Sequence, residues 1–299
     1  MFNLAKRVFL MLLLNILVLV TISIILSVTG LGSYFFKNEG DYLAMYLFCF
    51  VWGTVGAFIS LLLSKFFAKM MMGVQIVDPN SRDANSRELV VLVHGLARRA
   101  GLIKMPEVGI YESPEINAFA TGPSKNNSLV AVSTGLLNRM DRDQLEGVLG
   151  HELAHVANGD MVTMTIVQGI VNSFVMFFAR IIASILAPKD SEGRSNFFGY
   201  YMTYHLVEIA LMFLTIPIVA GVSRWREYRA DLGGAKIAGK EKMIGALKAL
   251  SGTEKSVDNK EAAFASLKIS GKRSGGLALF FMTHPPLEDR IRRLEQARV

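Results

Sequence analysis

Residues 151–155 read His-Glu-Leu-Ala-His, an H-E-x-x-H motif in a chain of 299 residues that has only five histidines. On a helix, residues four positions apart share one face, so His151 and His155 can place two imidazole nitrogens on one Zn²⁺. Glu152 follows one step round the helix, where its carboxylate can hold a water at the metal and take its proton. The alternative is a pair of surface histidines on an exposed helix. The motif predicts two metal ligands and a general base.

The residues around this motif predict the helix that it needs. Asp141 followed by Gln144 is a capping-box pattern, and Gly159 is a suitable stop at the other end. Between them apolar residues recur at helical spacing, namely Leu145, Val148, Leu149 and Val156. The sequence therefore predicts a capped amphipathic helix that carries the motif.

A catalytic zinc site also needs a third protein ligand and an open position for water. The best candidate is Glu227, in the polar stretch 226–231 that directly follows an apolar segment. A carboxylate ligand there would complete a set of two histidines and one glutamate. Taken by itself, Glu227 is equally compatible with a solvated helix face on which it pairs with Arg224 or Arg229. The residues alone leave both interpretations open.

The composition is that of a membrane protein. Hydrophobic residues make up 52% of the chain, and the mean hydropathy is +0.37. The single cysteine, Cys49, excludes both an intrachain disulfide and a cysteine-based zinc site. The net charge of +7 is accompanied by no pattern typical of a nucleic-acid-binding module, so we expect no nucleic-acid partner.

Four apolar runs predict four transmembrane helices. The last two spans are the less certain ones. These two runs could instead form a hydrophobic hairpin that is partly buried in protein. The four runs cover residues 8–28, 43–63, 161–187 and 200–222. They divide the chain into a transmembrane hairpin (1–64), a polar segment with the H-E-x-x-H helix (65–160), a second transmembrane hairpin (161–222), and a second polar segment with the candidate third ligand (223–299). We expect the two polar segments to form one domain.

The polar parts of the chain predict a small α+β domain with an antiparallel or mixed sheet. We expect helices over 85–100, over 240–250 and after Pro286, and strands over 107–111, 117–122 and 129–132. Residues 251–275, rich in Ser, Gly and Lys, are predicted to be a mobile surface segment.

Two charged residues lie within the third and fourth apolar runs, where an ionisable group is costly. An Arg180–Glu208 pair between neighbouring helices is one possibility. The interpretation we prefer is that Arg180 extends toward the interface while Glu208 faces protein.

The distribution of charge predicts the orientation. The two short loops between paired apolar runs carry no net positive charge, so the basic residues are concentrated in the other segments. By the positive-inside rule, both termini and the H-E-x-x-H helix are predicted to be cytoplasmic. His151 and Glu227 then lie on the same side of the bilayer, as a shared metal requires.

The sequence resembles the HtpX family of bacterial membrane-bound heat-shock zinc proteases, a gluzincin-type group related to the CAAX prenyl proteases. The resemblance extends over nearly the whole chain and includes the four apolar runs in order. It is carried by four stretches, namely 151–160, 226–231, 117–120 and 283–285.

The resemblance implies roles for residues outside the motif. Glu227 matches the third zinc ligand, and Asp231 matches a residue that orients a ligand imidazole. His284 and Arg290 match positions that would stabilise the oxyanion of the tetrahedral intermediate. The stretch Asn117, Ala118, Phe119 and Ala120 would form the edge strand that pairs with an extended substrate.

The implied protein is a polytopic helical membrane protein with a mainly helical, zincin-like cytoplasmic protease domain and one Zn²⁺ per chain. The expected activity is endopeptidase cleavage of misfolded or damaged membrane proteins, and of unfolded polypeptides, at the cytoplasmic face of the bacterial inner membrane. Self-cleavage is a further expectation. The oligomeric state stays open.

Three other classes of protein share part of this pattern. A site-2-type protease carries its motif inside a membrane span, whereas this helix holds Asp141, Arg142, Asp143 and Glu146. A CAAX-type prenyl protease would share the chemistry, but we would expect more spans than this length allows. A non-enzymatic zinc-binding scaffold or a metal-dependent transporter would not need Glu152.

Overall fold

The computed structural model describes residues 42–188, 196–260, 282 and 284–298. The first predicted span, the loop 189–195 and most of the predicted surface segment 251–275 lie outside the described residues. The chain forms two compact units. The apolar unit contains the described residues of 1–57 and 168–211, and the mixed unit contains those of 58–167 and 212–299.

Helices and one four-stranded sheet account for most of the described residues. The helices are α1 (Tyr42–Leu62), α2 (Ser64–Met72), α3 (Ala84–Arg99), α4 (Thr134–Arg139), α5 (Arg142–Asn158), α6 (Asp160–Leu186), α7 (Phe197–Ala238), α8 (Lys240–Lys260) and α9 (Leu287–Gln296). The strands are β1 (Gln75–Ile76), β2 (Glu107–Tyr111), β3 (Ala118–Ser124) and β4 (Asn127–Ser133).

Three helices in the described part of the chain are long and apolar enough to cross a membrane. They are α1, α6 and α7, and they confirm long apolar helices over the second, third and fourth predicted runs. Helix α7 is longer than its apolar run. It continues past Pro217 and through Gly233 and Gly234, and it ends before Gly239, which has φ +108°. The stretch 226–231 is therefore a continuation of an apolar helix rather than a separate element.

Inside the apolar unit, Arg180 and Glu208 are joined through Tyr204. The guanidinium Nη1 lies 3.3 Å from the Tyr204 hydroxyl, which donates to Glu208 Oε1 at 3.0 Å. Arg180 Nη1 also donates to the Met176 carbonyl at 3.1 Å. The expectation that Arg180 extends toward the interface is therefore wrong, since a polar partner inside the unit satisfies it. Glu208 faces protein as predicted, with 9% of its surface exposed.

The sheet of the mixed unit has the strand order β1-β2-β4-β3. Strands β2 and β4 are parallel, and the other two pairs are antiparallel, which confirms the α+β class and decides that the sheet is mixed. In the register of the last pair, Ala120 lies opposite Val130. Strand β3 is the final strand of the order, so one of its edges is not paired within the sheet.

Helix α5 lies in the core of the mixed unit. Asp141 and Gln144 form the predicted capping box, and Gly159 ends the helix in the left-handed conformation at φ +72°. Leu149, Leu153 and Val156 have no exposed surface. Because α5 is buried on most sides, its position is set by contacts with the sheet and with its neighbouring helices.

Candidate active site

The two histidines of the motif and Glu227 converge on one point. The Nε2 atoms of His151 and His155 are 3.2 Å apart. Glu227 Oε1 lies 3.3 Å from His155 Nε2, and Glu227 Oε2 lies 3.4 Å from His151 Nε2. Ligand atoms about 2.0–2.1 Å from a tetrahedral zinc would be about 3.3 Å from one another. The two imidazole nitrogens and the two carboxylate oxygens of Glu227 thus have spacings compatible with a zinc ligand set.

Each imidazole is oriented by a buried carboxylate on its other nitrogen. His151 Nδ1 lies 3.0 Å from Asp231 Oδ1, and His155 Nδ1 lies 2.6 Å from Asp160 Oδ2. The two aspartates are 3% and 2% exposed. Such partners hold the proton on Nδ1 and leave a lone pair on each Nε2. Two nitrogens facing each other at 3.2 Å need a proton or a metal ion between them, so the donor set fits a metal.

The pKa shifts of the two histidines indicate that the site favours positive charge. Burial lowers the pKa of both imidazoles, but hydrogen bonds to carboxylates outweigh this effect. For His155 the carboxylates are Asp160 and Glu227, which raise its pKa to about 9. For His151 they are Asp231 and Glu227, and its pKa is also raised. The site is therefore built to stabilise positive charge at the two imidazoles.

Glu152 connects the motif to the sheet. Its Oε2 accepts a hydrogen bond of 3.0 Å from the backbone N–H of Ala120. Glu152 follows His151 directly on α5, and this bond holds its carboxylate at the open edge of β3.

The four residues of the predicted substrate-binding stretch direct their backbone groups alternately toward β4 and toward the open edge of β3. The Asn117 carbonyl accepts from the Ser133 N–H at 2.9 Å, so Asn117 faces β4. Since residues two apart in a strand direct their backbone groups to the same side, Phe119 also faces β4. Ala118 and Ala120 face the open edge, as the bond from Ala120 to Glu152 shows.

Arg290 and His284 both lie close to Glu227, but in different surroundings. Arg290 is 7% exposed and donates to Asp231 through Nε at 2.9 Å and Nη2 at 2.6 Å. His284 Nδ1 lies 3.0 Å from Glu227 Oε2, and the His284 side chain is 67% exposed. Arg290 therefore supports the carboxylate behind His151, whereas His284 is open to solvent beside the third ligand.

Sequence reasoning did not identify Asp160 as the partner of His155. It directly follows Gly159, which ends α5, so its place just beyond a ligand histidine was visible. Nothing in the sequence indicated that the chain turns at Gly159 so that the Asp160 carboxylate comes back to His155.

The fold and the site define a membrane-bound metalloprotease of the H-E-x-x-H class with a glutamate as third candidate ligand. Residues 83–298 match Peptidase family M48, and the chain belongs to this family. This confirms the resemblance found in the sequence and sets aside the non-enzymatic alternatives.

Curated relatives match over nearly their full length. A protease HtpX homolog of Bacillus licheniformis is 53% identical over 297 residues, covering 97% of this chain and 99% of the relative. The protease HtpX homolog of Bacillus subtilis is 50% identical and protease HtpX of Shewanella oneidensis is 48% identical, each with coverage of 97% and 99%.

The fold is also similar to a solved structure, that of Ste24p from S. mikatae. The TM-score is 0.62 at 18% identity, over 92% of this chain. This chain spans 64% of that chain's length. At this identity the likeness concerns the fold alone.

Proposed function

We propose that this protein is an integral-membrane zinc endopeptidase that cleaves misfolded or damaged membrane proteins at the cytoplasmic face of the bacterial inner membrane. The observation that carries the proposal is the group of His151, His155 and Glu227, whose donor atoms lie 3.2–3.4 Å apart with a base beside them. One Zn²⁺ per chain would occupy this group. When bound, it would lower the pKa of a water and polarise the substrate carbonyl.

Glu152 is the proposed general base. Its carboxylate would take the proton of the attacking water and then pass it to the leaving amine. The hydrogen bond from Ala120 occupies Oε2, which leaves Oε1 free to accept from the water. A base held at a fixed position reduces the cost of orienting the water.

The open edge of β3 is the proposed substrate-binding strand. An extended polypeptide would add to this edge by main-chain hydrogen bonds, which suits substrates that differ in sequence. Ala118 offers a backbone N–H and C=O on this side, while Ala120 already donates to Glu152. The strand would thereby align the scissile bond with the base.

The other predicted site residues are assigned supporting roles. Asp231 would orient His151, and Arg290 would hold Asp231 by its two hydrogen bonds. His284, which is exposed beside Glu227, is the better placed of the two basic residues to stabilise an oxyanion.

The choice of membrane proteins as substrates is supported by where the site lies along the chain. Asp160, which bonds to His155, is the first residue of the apolar helix α6. Glu227 lies on α7 just beyond its apolar part. The helix that carries the two histidines is thus followed directly by one candidate membrane span, and Glu227 lies on the helix that forms another. Self-cleavage remains part of the proposal, because a second copy of the chain is also a membrane protein.

The test compares purified wild-type protein with Glu152→Gln and Glu227→Ala, measuring zinc content together with cleavage of casein and of the chain itself. We expect Glu152→Gln to keep one zinc per chain and to lose cleavage. Glu227→Ala should lose both. Glu88→Gln serves as the control, since Glu88 is exposed and pairs only with Arg142 among the contacts described here.

For the base, the third ligand and the substrate class, one experimental result each would contradict the proposal. Cleavage by Glu152→Gln at the wild-type rate would exclude Glu152 as the base. Full zinc in Glu227→Ala would exclude the third ligand. Cleavage of a prenylated peptide, with casein and unfolded membrane proteins left intact, would move the function to the CAAX-type alternative.

A further inference from the structure

One loop of the mixed unit exposes an apolar side chain that nothing in the described structure covers. Ile103 is 92% exposed, the highest value among the large apolar side chains of the described residues. It lies between the end of α3 and the start of β2, in the sequence Gly101-Leu102-Ile103-Lys104. Leu102 beside it is 8% exposed, so the loop is anchored to the core by one side chain and presents the next to its surroundings.

The same loop carries a local excess of positive charge. Arg98 and Arg99 form the last turn of α3, and Lys104 follows Ile103 directly. All three are exposed, and no acidic residue lies between Arg98 and Pro106. Arg99 reaches Glu146 only at 4.0 Å. An exposed apolar side chain with cations close to it in the sequence matches the surface of a membrane with anionic lipids.

Contacts at the start of β2 place this loop beside the end of an apolar helix. Glu107, four residues after Ile103, binds Lys65 Nζ at 2.7 Å and Lys69 Nζ at 2.8 Å. Both lysines belong to α2, which begins two residues after α1 ends at Leu62. Four extended residues span at most about 14 Å, so Ile103 is within that distance of Glu107.

A second contact supports the same placement. Lys65 Nζ also donates to Asn127 Oδ1 at 2.8 Å, and Asn127 begins β4, which runs parallel to β2. Both parallel strands therefore begin at the end of the sheet that is tied to the residues following α1. The loop that carries Ile103 enters the sheet at this same end.

We propose that Arg98, Arg99, Ile103 and Lys104 form a lipid-binding loop that docks the mixed unit onto an anionic membrane surface. Ile103 enters the boundary between headgroups and acyl chains, and the three cations bind lipid phosphates. The loop adds a contact with the bilayer that is separate from the membrane-spanning helices. The inference goes beyond the proposed function and does not depend on it.

The test measures the depth of a nitroxide spin label in nanodiscs that contain phosphatidylcholine and phosphatidylglycerol. The label is attached at Ile103→Cys in a Cys49→Ala background, which removes the single native cysteine. Val91→Cys is the matched control, because Val91 is 68% exposed and lies in the middle of α3, about 12 Å before Arg99 along the helix.

We expect the ratio of collisions with oxygen to collisions with a water-soluble nickel chelate to be several-fold higher at position 103 than at position 91. Equal ratios at the two positions would overturn the proposal. Adding Arg98→Glu and Lys104→Glu should lower this collision ratio at position 103 toward the value of a water-exposed label. An unchanged ratio in this variant, or in discs of phosphatidylcholine alone, would overturn the role of the cations.

A further arm separates lipid from a second copy of the chain. If Ile103 packed against another copy, labels at position 103 would show spin–spin broadening in detergent, where no bilayer is present. That result would overturn the assignment to lipid. Narrow, mobile spectra in detergent combined with immersion in nanodiscs are the result that the proposal requires.

Discussion

At the scale of single residues, the candidate metal site depends on two aspartates that lie far apart in the chain. Asp160 follows the motif helix, and Asp231 lies on α7, yet each bonds to the Nδ1 of one ligand histidine. A histidine without such a partner can rotate and can exchange its tautomer. Its Nε2 lone pair is then less available to bind a metal. The geometry therefore depends on the carboxylates as well as on the histidines.

Asp160→Asn is expected to weaken zinc affinity by about 10–100-fold, because the amide is a poorer acceptor for the His155 N–H. The measurement is competition for zinc against a chelator of known affinity. Asp143→Asn is the control, since Asp143 lies on α5 with a side chain that is 71% exposed and bonded to Lys242. Affinities that agree within twofold for Asp160→Asn and wild type would contradict the role of Asp160.

At the scale of elements, glycines allow α5 and α7 to approach closely. A Cβ built on Gly234 of α7 would lie 3.0 Å from the backbone nitrogen of His151, and one built on Gly150 of α5 would lie 2.9 Å from the Ala238 Cβ. Both contacts are shorter than ordinary van der Waals separation. The close approach brings Glu227 and Asp231 within reach of the histidines, so small residues on two helices help to set the geometry of the candidate site.

Gly234→Ala is expected to push α7 away from α5, to destabilise the protein by about 1–3 kcal/mol and to reduce zinc content. The checks are thermal unfolding and metal analysis of the purified variant. Gly245→Ala is matched to it, since Gly245 lies in α8 and an added Cβ there meets nothing within 4 Å. That variant should be more stable than wild type by about 0.5–1 kcal/mol. Equal behaviour of the two variants would show that the contact with His151 does not limit the packing.

At the scale of the whole molecule, the site constrains the topology. His155 precedes the apolar helix α6, and Glu227 follows the apolar part of α7. Their donor atoms are 3.3 Å apart, so the chain must return to the side from which it left. Either both intervening runs cross the bilayer or neither does. By the positive-inside rule, the charge pattern predicts that the site lies in the cytoplasm, but it does not decide between these two cases.

Labelling with a membrane-impermeant maleimide tests this arrangement in spheroplasts. A cysteine at Asn196, which lies between the two runs, is expected to react from outside. A cysteine at Asp143 is expected to react only after the membrane is permeabilised. Both positions should react in detergent, which serves as the control. Reaction of neither position from outside would contradict two crossings, and reaction of Asp143 alone would reverse the orientation.

Local signals in the sequence were sufficient for the elements with strong periodicity or clear ends. The capping box of Asp141 and Gln144, the stop at Gly159 and the strand 107–111 are all present in the structure. Strand β1 was not predicted, because two residues are too few to show an alternating pattern. The mixed character of the sheet was left undecided, since strand direction depends on connections that leave no periodic signal.

The sequence by itself predicted the two candidate ligand histidines, the candidate base and the membrane character, because a helical spacing of four and a long apolar run are local properties of the chain. Only the tertiary structure decided that Glu227 meets the histidines, that Asp160 returns to His155, and that Ala120 holds Glu152. These contacts join residues on different elements, or on either side of a turn. Their distances depend on how closely the helices and the sheet pack.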